Sequence, residues 1–206
     1  AVLTLNALAA KLRKKRFAAG AISFERPEMK VEVDEKGRPV NVYQKVTKEA
    51  NWLVEEFMLL ANRSVAEFVA TGCKGIGDAP AKGRRPVKTF VYRVHDEPNQ
   101  EKLESLKLFI GNFGYKMGPT GNGKEISKEL NDLFRKAKDT PEYNAIELLS
   151  LRTMAKARYD TENLGHYGLA FKYYTHFTSP IRRYPDMLVH RLLARYLEGG
   201  ESAKLE

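Results

Sequence analysis

The sequence predicts a helix-rich α+β chain with short antiparallel strands. Long segments repeat their apolar residues at helical spacing, short runs alternate apolar and charged residues around turn signals, and no internal repeat organises them. The chain has 206 residues, 43% of them hydrophobic. That is enough for one sizeable core or two small ones, and too apolar for a disordered tail.

The first helix spans residues 2–19, with Leu5, Leu8, Leu12 and Phe17 inward, Lys11, Lys14 and Lys15 outward, and Gly20 as its stop. "AISFERPEMKVEVDEKGRPVNVYQKV" then reads as a short strand followed by a hairpin. In it Val31 and Val33 alternate with charges, "DEKGR" supplies the turn, and Val40, Val42 and Val46 resume. A long helix runs from Lys48 to Val69. Leu53, Phe57, Leu60, Ser64 and Phe68 form its apolar face, and Glu49, Glu56, Arg63 and Glu67 a solvated stripe. A second polar stripe, Asn51, Glu55 and Asn62, lies between Met58 and Leu59. It lines a cavity or forms a second exposed stripe. The Gly-, Pro- and Lys-rich stretch "TGCKGIGDAPAKGRRPVK" is too irregular for an element.

"TFVYRVH" reads as a strand. Pro98 opens a helix with Leu103, Leu106, Ile110 and Phe113 at helical spacing, and Ile126–Lys138 makes a short one. Thr140 and Pro141 start another that runs to about Tyr159. A strand or two follow through "YGLAFKYYTHF", and an arginine-bearing segment closes the chain.

Lys and Arg outnumber Asp and Glu by 35 to 26, a net charge of +9. The excess suggests a polyanionic partner, with nucleic acid leading and a merely basic protein as the alternative. No run of 18 apolar residues exists, so no membrane partner is expected. The opening "AVLTLNALAAKLRKKR" has its basic cluster after the apolar part, the reverse of a secretory signal. The single cysteine, Cys73, excludes an internal disulfide framework and fits a reducing cytoplasm.

Hydrolytic machinery is incomplete. The acidic pairs Asp34–Glu35, Glu55–Glu56 and Asp96–Glu97 form no clustered aspartate arrangement. His95, His166, His176 and His190 show no zinc spacing, and Ser64, Ser150 and Ser179 lack a nucleophile-elbow context.

Aromatic–basic interleaving is the stronger signal. "FKYYTHFTSPIRRYPD" mixes five aromatics with one lysine and two arginines in sixteen residues. Bases stack on such rings for about 1–3 kcal/mol each, and guanidinium forks grip phosphate oxygens. The competing reading is an aromatic core strand followed by a solvated helix start. Thr178 and Ser179 suit N-caps and Pro180 the first helical position. Arg182 and Arg183 would then stand in a first turn that disfavours cations by about 0.3–1 kcal/mol each. Backbone donors and two guanidiniums facing one spot make an anion site. Alternatively the helix begins near Tyr184, because Pro185 cannot donate in a helix interior.

"GHYGLAFKYYTHFTSPIRRYPDMLVHRLL" resembles the signature of the RNB catalytic domain of the ribonuclease II and ribonuclease R family, closer to bacterial ribonuclease R. "GAISFERPE", "LVEEFMLLANRSVAEFVA", "TFVYRVHDEP" and "LLSLRTMAKARYDTENLGHYGLA" resemble other blocks of that domain. The resemblance implies a processive, divalent-metal-dependent 3′→5′ exoribonuclease that releases nucleoside 5′-monophosphates from single-stranded RNA. By motif, Phe24 resembles the aromatic that stacks on the terminal base. Glu55 resembles the acid that fixes the terminal ribose, and Arg182 the arginine that polarises the scissile phosphate. Arg183 carries no family role but is placed to help bind RNA.

The family's catalytic aspartates and a second stacking aromatic belong to a block upstream of everything here and are not present, and the family's flanking cold-shock and S1-type RNA-binding domains are absent too. Residues 1–206 are therefore expected to be the C-terminal portion of one RNB catalytic domain, with 72–88 as a Gly/Lys-rich loop insertion. Magnesium ligands are expected upstream. The expected partners are single-stranded RNA, the missing N-terminal half of the domain and the flanking RNA-binding domains, in the cytoplasm. The alternatives are a catalytically inactive RNA-binding relative and a basic structural domain that pairs with an acidic protein.

Overall fold

The computed structural model describes residues 1–24, 28–72 and 88–204; all of the expected 72–88 insertion except Gly72 and Lys88 lies outside them. Six helices are described: α1 Val2–Ala18, α2 Glu49–Ala70, α3 Gln100–Gly111, α4 Gly123–Ala137, α5 Tyr143–Thr153 and α6 Tyr184–Leu197. Strands β1 Glu28–Val33 and β2 Pro39–Lys45 form one antiparallel pair, and β3 Tyr92–Val94 and β4 Arg158–Asp160 another.

The local chemistry accounts for several boundaries. The hairpin turn is held by Asp34 Oδ1, which accepts from the amides of Lys36 and Arg38 at 2.8 Å each. Gly37 there adopts φ 77°, which glycine takes without a Cβ clash. Asn99 and Asn122 cap α3 and α4 by accepting from Lys102 N and Glu125 N at 3.0 Å.

Two apolar clusters result. One gathers Leu103, Leu106 and Ile110 of α3, Ile126 and Leu130 of α4 and Ile146 of α5. The other joins Ala66 and Val69 of α2, Phe90, Tyr92 and Val94 around β3, and Val189 and Tyr196 of α6.

Four sequence expectations change. Leu5 and Leu8 are exposed, and α1 packs on α2 through Ala9 and Arg16 instead. Residues 21–24 form no strand. The helix expected to reach Tyr159 ends at Thr153, because residues 158–160 pair with β3. The "YGLAFKYYTHF" stretch contains a 3₁₀ turn at Tyr167–Leu169 and isolated bridges from His166, and no strand. None of the described helices is long and apolar enough to cross a membrane.

Candidate functional site

Phe24 ends a segment whose backbone is held by Asn131 of α4. The Asn131 side chain accepts from Ser23 N at 3.2 Å and donates to Ala21 O at 2.9 Å. The Phe24 ring then rests on Phe134, centroids 5.4 Å apart and planes 56° apart. Phe24 lines a mainly apolar cavity of about 1070 Å³ against α3 and α5. It also lines a polar cavity of about 500 Å³ shared with Arg13, Arg16, Trp52, Glu55 and Lys138. Two residues from distant blocks, Phe24 and Glu55, therefore meet in one cavity.

Its electrostatics come from α1. Arg16 donates from Nη2 to Glu55 Oε1 at 3.0 Å and from Nε to Glu56 Oε1 at 3.1 Å. Arg13 has its guanidinium 4.8 Å from the ring centroids of both Phe17 and Trp52, and lies within 3.9 Å of Glu55. The sequence reading put Glu56 on a solvated stripe, and this is corrected: its side chain is 3% exposed against 46% for Glu55. The packed face of α2 runs Glu56, Leu59, Asn62, Ala66 and Val69. A helical wheel drawn by hydrophobicity cannot find it, because Glu56 is buried only by virtue of its partner on α1.

A helix rises about 1.5 Å per residue, so Asn62 stands about 10 Å beyond Glu55 along α2. It is buried, donates to Tyr174 Oη at 3.2 Å and accepts from Phe177 N at 3.0 Å. Thr175 Oγ1 donates to Val91 O at 2.6 Å. These bonds fasten the segment that leads into the arginine turn. There α6 begins at Tyr184, so Thr178 and Ser179 are not its N-caps and both arginines precede its first turn. Arg182 is exposed, and its side chain makes no hydrogen bond or ion pair among the described residues. Arg183 turns inward and donates to Asp186 at 2.9 Å.

Arg93, on β3, is a member of this corner that the sequence reading missed. Its guanidinium lies 4.7 Å from the Tyr159 ring centroid, and Tyr159 Oη lies 2.7 Å from His176 Nδ1. Burial, and then Arg183, Arg93 and Arg182, drive His176 down to about 4. Burial, with His95 beside it at 4.9 Å between ring centroids, drives His166 down to about 3.

Both imidazoles are neutral in the folded chain at pH 7, whereas in the unfolded chain they titrate near 6.5. The unfolded state therefore takes up more protons below about pH 6.5, and stability falls as pH drops toward 4. At pH 5 His166 alone is expected to cost about 2 kcal/mol, with a smaller loss from the more exposed His176. Thermal unfolding at pH 7 and pH 5, for wild type and His166→Gln, measures it. An equal drop in both proteins would show that His166 is not the cause.

Among the described residues no group of three or more His, Cys, Asp or Glu side chains is placed to hold a metal ion. Glu55 and Glu56 meet Arg16, and Asp186 meets Arg183. These residues do not fit a divalent metal, and no chemical step is assigned through one. What they offer is an aromatic face, a hydrogen-bonding carboxylate and a free guanidinium.

Residues 1–199 match the RNB domain. The chain is 38% identical over 193 residues to ribonuclease R of Aquifex aeolicus, covering 92% of this chain and 25% of that protein. Its fold is similar to ribonuclease R of Mycoplasma genitalium in complex with ribose-methylated single-stranded RNA. The TM-score is 0.79 at 31% identity, over 95% of this chain and 28% of that one. Ssd1, a yeast pseudonuclease, shares the fold at a TM-score of 0.65 and 24% identity, over 98% of this chain and 24% of that one. The chain spans about a quarter of the length of the curated relatives it matches. With a domain match over nearly all its residues, this chain belongs to the RNB domain family.

Proposed function

We propose that residues 1–206 are the C-terminal portion of the catalytic domain of a 3′→5′ exoribonuclease. In this reading they bind the terminal nucleotide and the scissile phosphate of single-stranded RNA. The observation that carries it is the cavity of about 500 Å³ shared by Phe24 and Glu55. A cavity of that size suits a small ligand. The Phe24 ring supplies a stacking face and the Glu55 carboxylate an acceptor for ribose hydroxyls. Arg16 fixes that carboxylate before RNA arrives, which lowers the ordering cost of binding. Arg182 grips the phosphate, and Arg183, committed to Asp186 through one nitrogen, adds charge behind it. Magnesium ligands are assigned to another part of the domain, because the carboxylates here already serve arginines.

The test is release of mononucleotides from a labelled single strand by the purified 206-residue chain. Weak RNA binding that fades steeply with salt is expected, without magnesium- or manganese-stimulated degradation. Metal-dependent release that disappears in an Arg182→Ala chain would show a complete active site here and defeat the half-domain assignment. Salt-insensitive or undetectable RNA binding would defeat the RNA reading. An inactive RNA-binding member is the second reading, supported by the fold shared with a pseudonuclease. Metal-dependent activity of the complete protein separates the two.

Phe24→Ala is expected to weaken binding of short RNA by about 1–3 kcal/mol, with Phe24→Tyr tolerated and long RNA affected less. A purely structural Phe24 would instead cost about 3–5 kcal/mol of stability. Melting temperature measured beside short-oligomer affinity decides: a large stability loss at unchanged affinity assigns Phe24 to the core.

A further inference from the structure

The residues from Thr178 to Arg183 form a turn whose shape depends on one buried carboxylate. Asp186, in the first turn of α6, is fully buried. Its Oδ2 accepts from Ser179 N at 2.8 Å and from Arg183 Nη2 at 2.9 Å. Ser179 O accepts in turn from the amides of Arg182 at 3.3 Å and Arg183 at 3.2 Å. Ser179 is thus held at both backbone polar groups, and Arg183 is drawn inward by the same oxygen. At the tip of the turn Ile181 is wholly exposed and Arg182 projects beside it.

An unpaired buried carboxylate is costly, so Asp186 keeps its two donors and the turn keeps its shape. Yet the satisfaction is partial. Among the described residues, Asp186 Oδ1, Arg183 Nε and Thr178 Oγ1 are all buried without a hydrogen-bond partner. Buried polar atoms left unpaired in this way call for a reason other than stability.

We propose that Asp186 is a positioning residue for the phosphate site. By holding Ser179 and Arg183 it sets the turn so that Arg182 alone projects toward the scissile phosphate, with the Arg183 charge held behind it. Asp186 touches no substrate. The inference rests on the phosphate-binding reading of Arg182.

The experiment is a double-mutant cycle on single-turnover RNA hydrolysis by the complete protein, with melting temperatures and RNA affinities recorded for each variant. Asp186→Asn keeps an amide oxygen for Ser179 N but loses the charge that faces Arg183. With Arg182 present it is expected to lower the rate about ten- to a hundredfold at nearly unchanged affinity. With Arg182→Ala already in place it should lower the rate less than about twofold, because residues acting through one another are not additive. Equal losses in both backgrounds, or no loss in either, overturn the proposal. An unchanged rate in Arg182→Ala alone overturns the phosphate reading as well, whereas a large loss there with an additive Asp186 effect sinks only the positioning role. Should Asp186→Asn fail to fold, Arg183→Lys, which keeps the charge without the planar fork, runs the same cycle with the same expected disappearance.

Discussion

Replacing Arg182 with alanine is expected to slow single-turnover RNA hydrolysis by the complete protein about a hundred- to a thousandfold, while RNA affinity changes far less. The side chain is exposed on a turn fastened at Ser179, beside a corner that already holds Arg93 and Arg183. A guanidinium with no hydrogen-bond or ion-pair partner among the described residues can meet a phosphate without breaking such a bond. Such a preorganised donor acts mainly where charge develops in the transition state, and losing one costs about 2.7–4 kcal/mol. Ground-state affinity is spread over many phosphate contacts and should survive. Arg182→Lys should rescue only in part, because the ammonium lacks a bidentate fork. Rapid-mixing measurement at saturating protein isolates the chemical step, and a near-normal rate for Arg182→Ala would remove it from the phosphate site.

The arginine turn also shows what one sequence makes legible. Apolar spacing at Leu103, Leu106 and Ile110 and the "DEKGR" turn are local signals, and the corresponding elements stand where those signals point. The start of α6 was readable from Pro185, which forbids a helix amide at that position. Tyr159 was misread because its strand exists only through pairing with β3, far earlier in the chain. Arg93 escaped notice for the same reason: a lone arginine in a short strand carries no motif until the fold sets it over Tyr159. The motifs name Phe24, Glu55 and Arg182, and Arg183 stands beside them without a family role; periodicity could not show that Phe24 and Glu55 share a cavity or that Arg183 faces inward.

Glu56 is the sharpest such case, and Glu56→Gln is expected to cost about 3 kcal/mol of stability, the low end for breaking a buried ion pair. The loss arises because Arg16, itself buried, would be left with one carboxylate in place of two; Glu55 still accepts from its Nη2 at 3.0 Å and softens the penalty. Glu55→Gln, at a position 46% exposed, should cost only about 0.2–1 kcal/mol. Urea midpoints for the two variants test this ordering, and equal losses would refute it. Fold and site can then be separated. Buried ion pairs replaced by apolar residues of similar volume are often as stable as the original. Arg16→Met combined with Glu56→Leu should therefore regain most of the stability that Glu56→Gln loses. It would not regain affinity for short RNA, because the same Arg16 that neutralises Glu56 also orients Glu55 at the cavity wall. A double variant that recovers both stability and short-RNA affinity would show that Glu55 needs no such support.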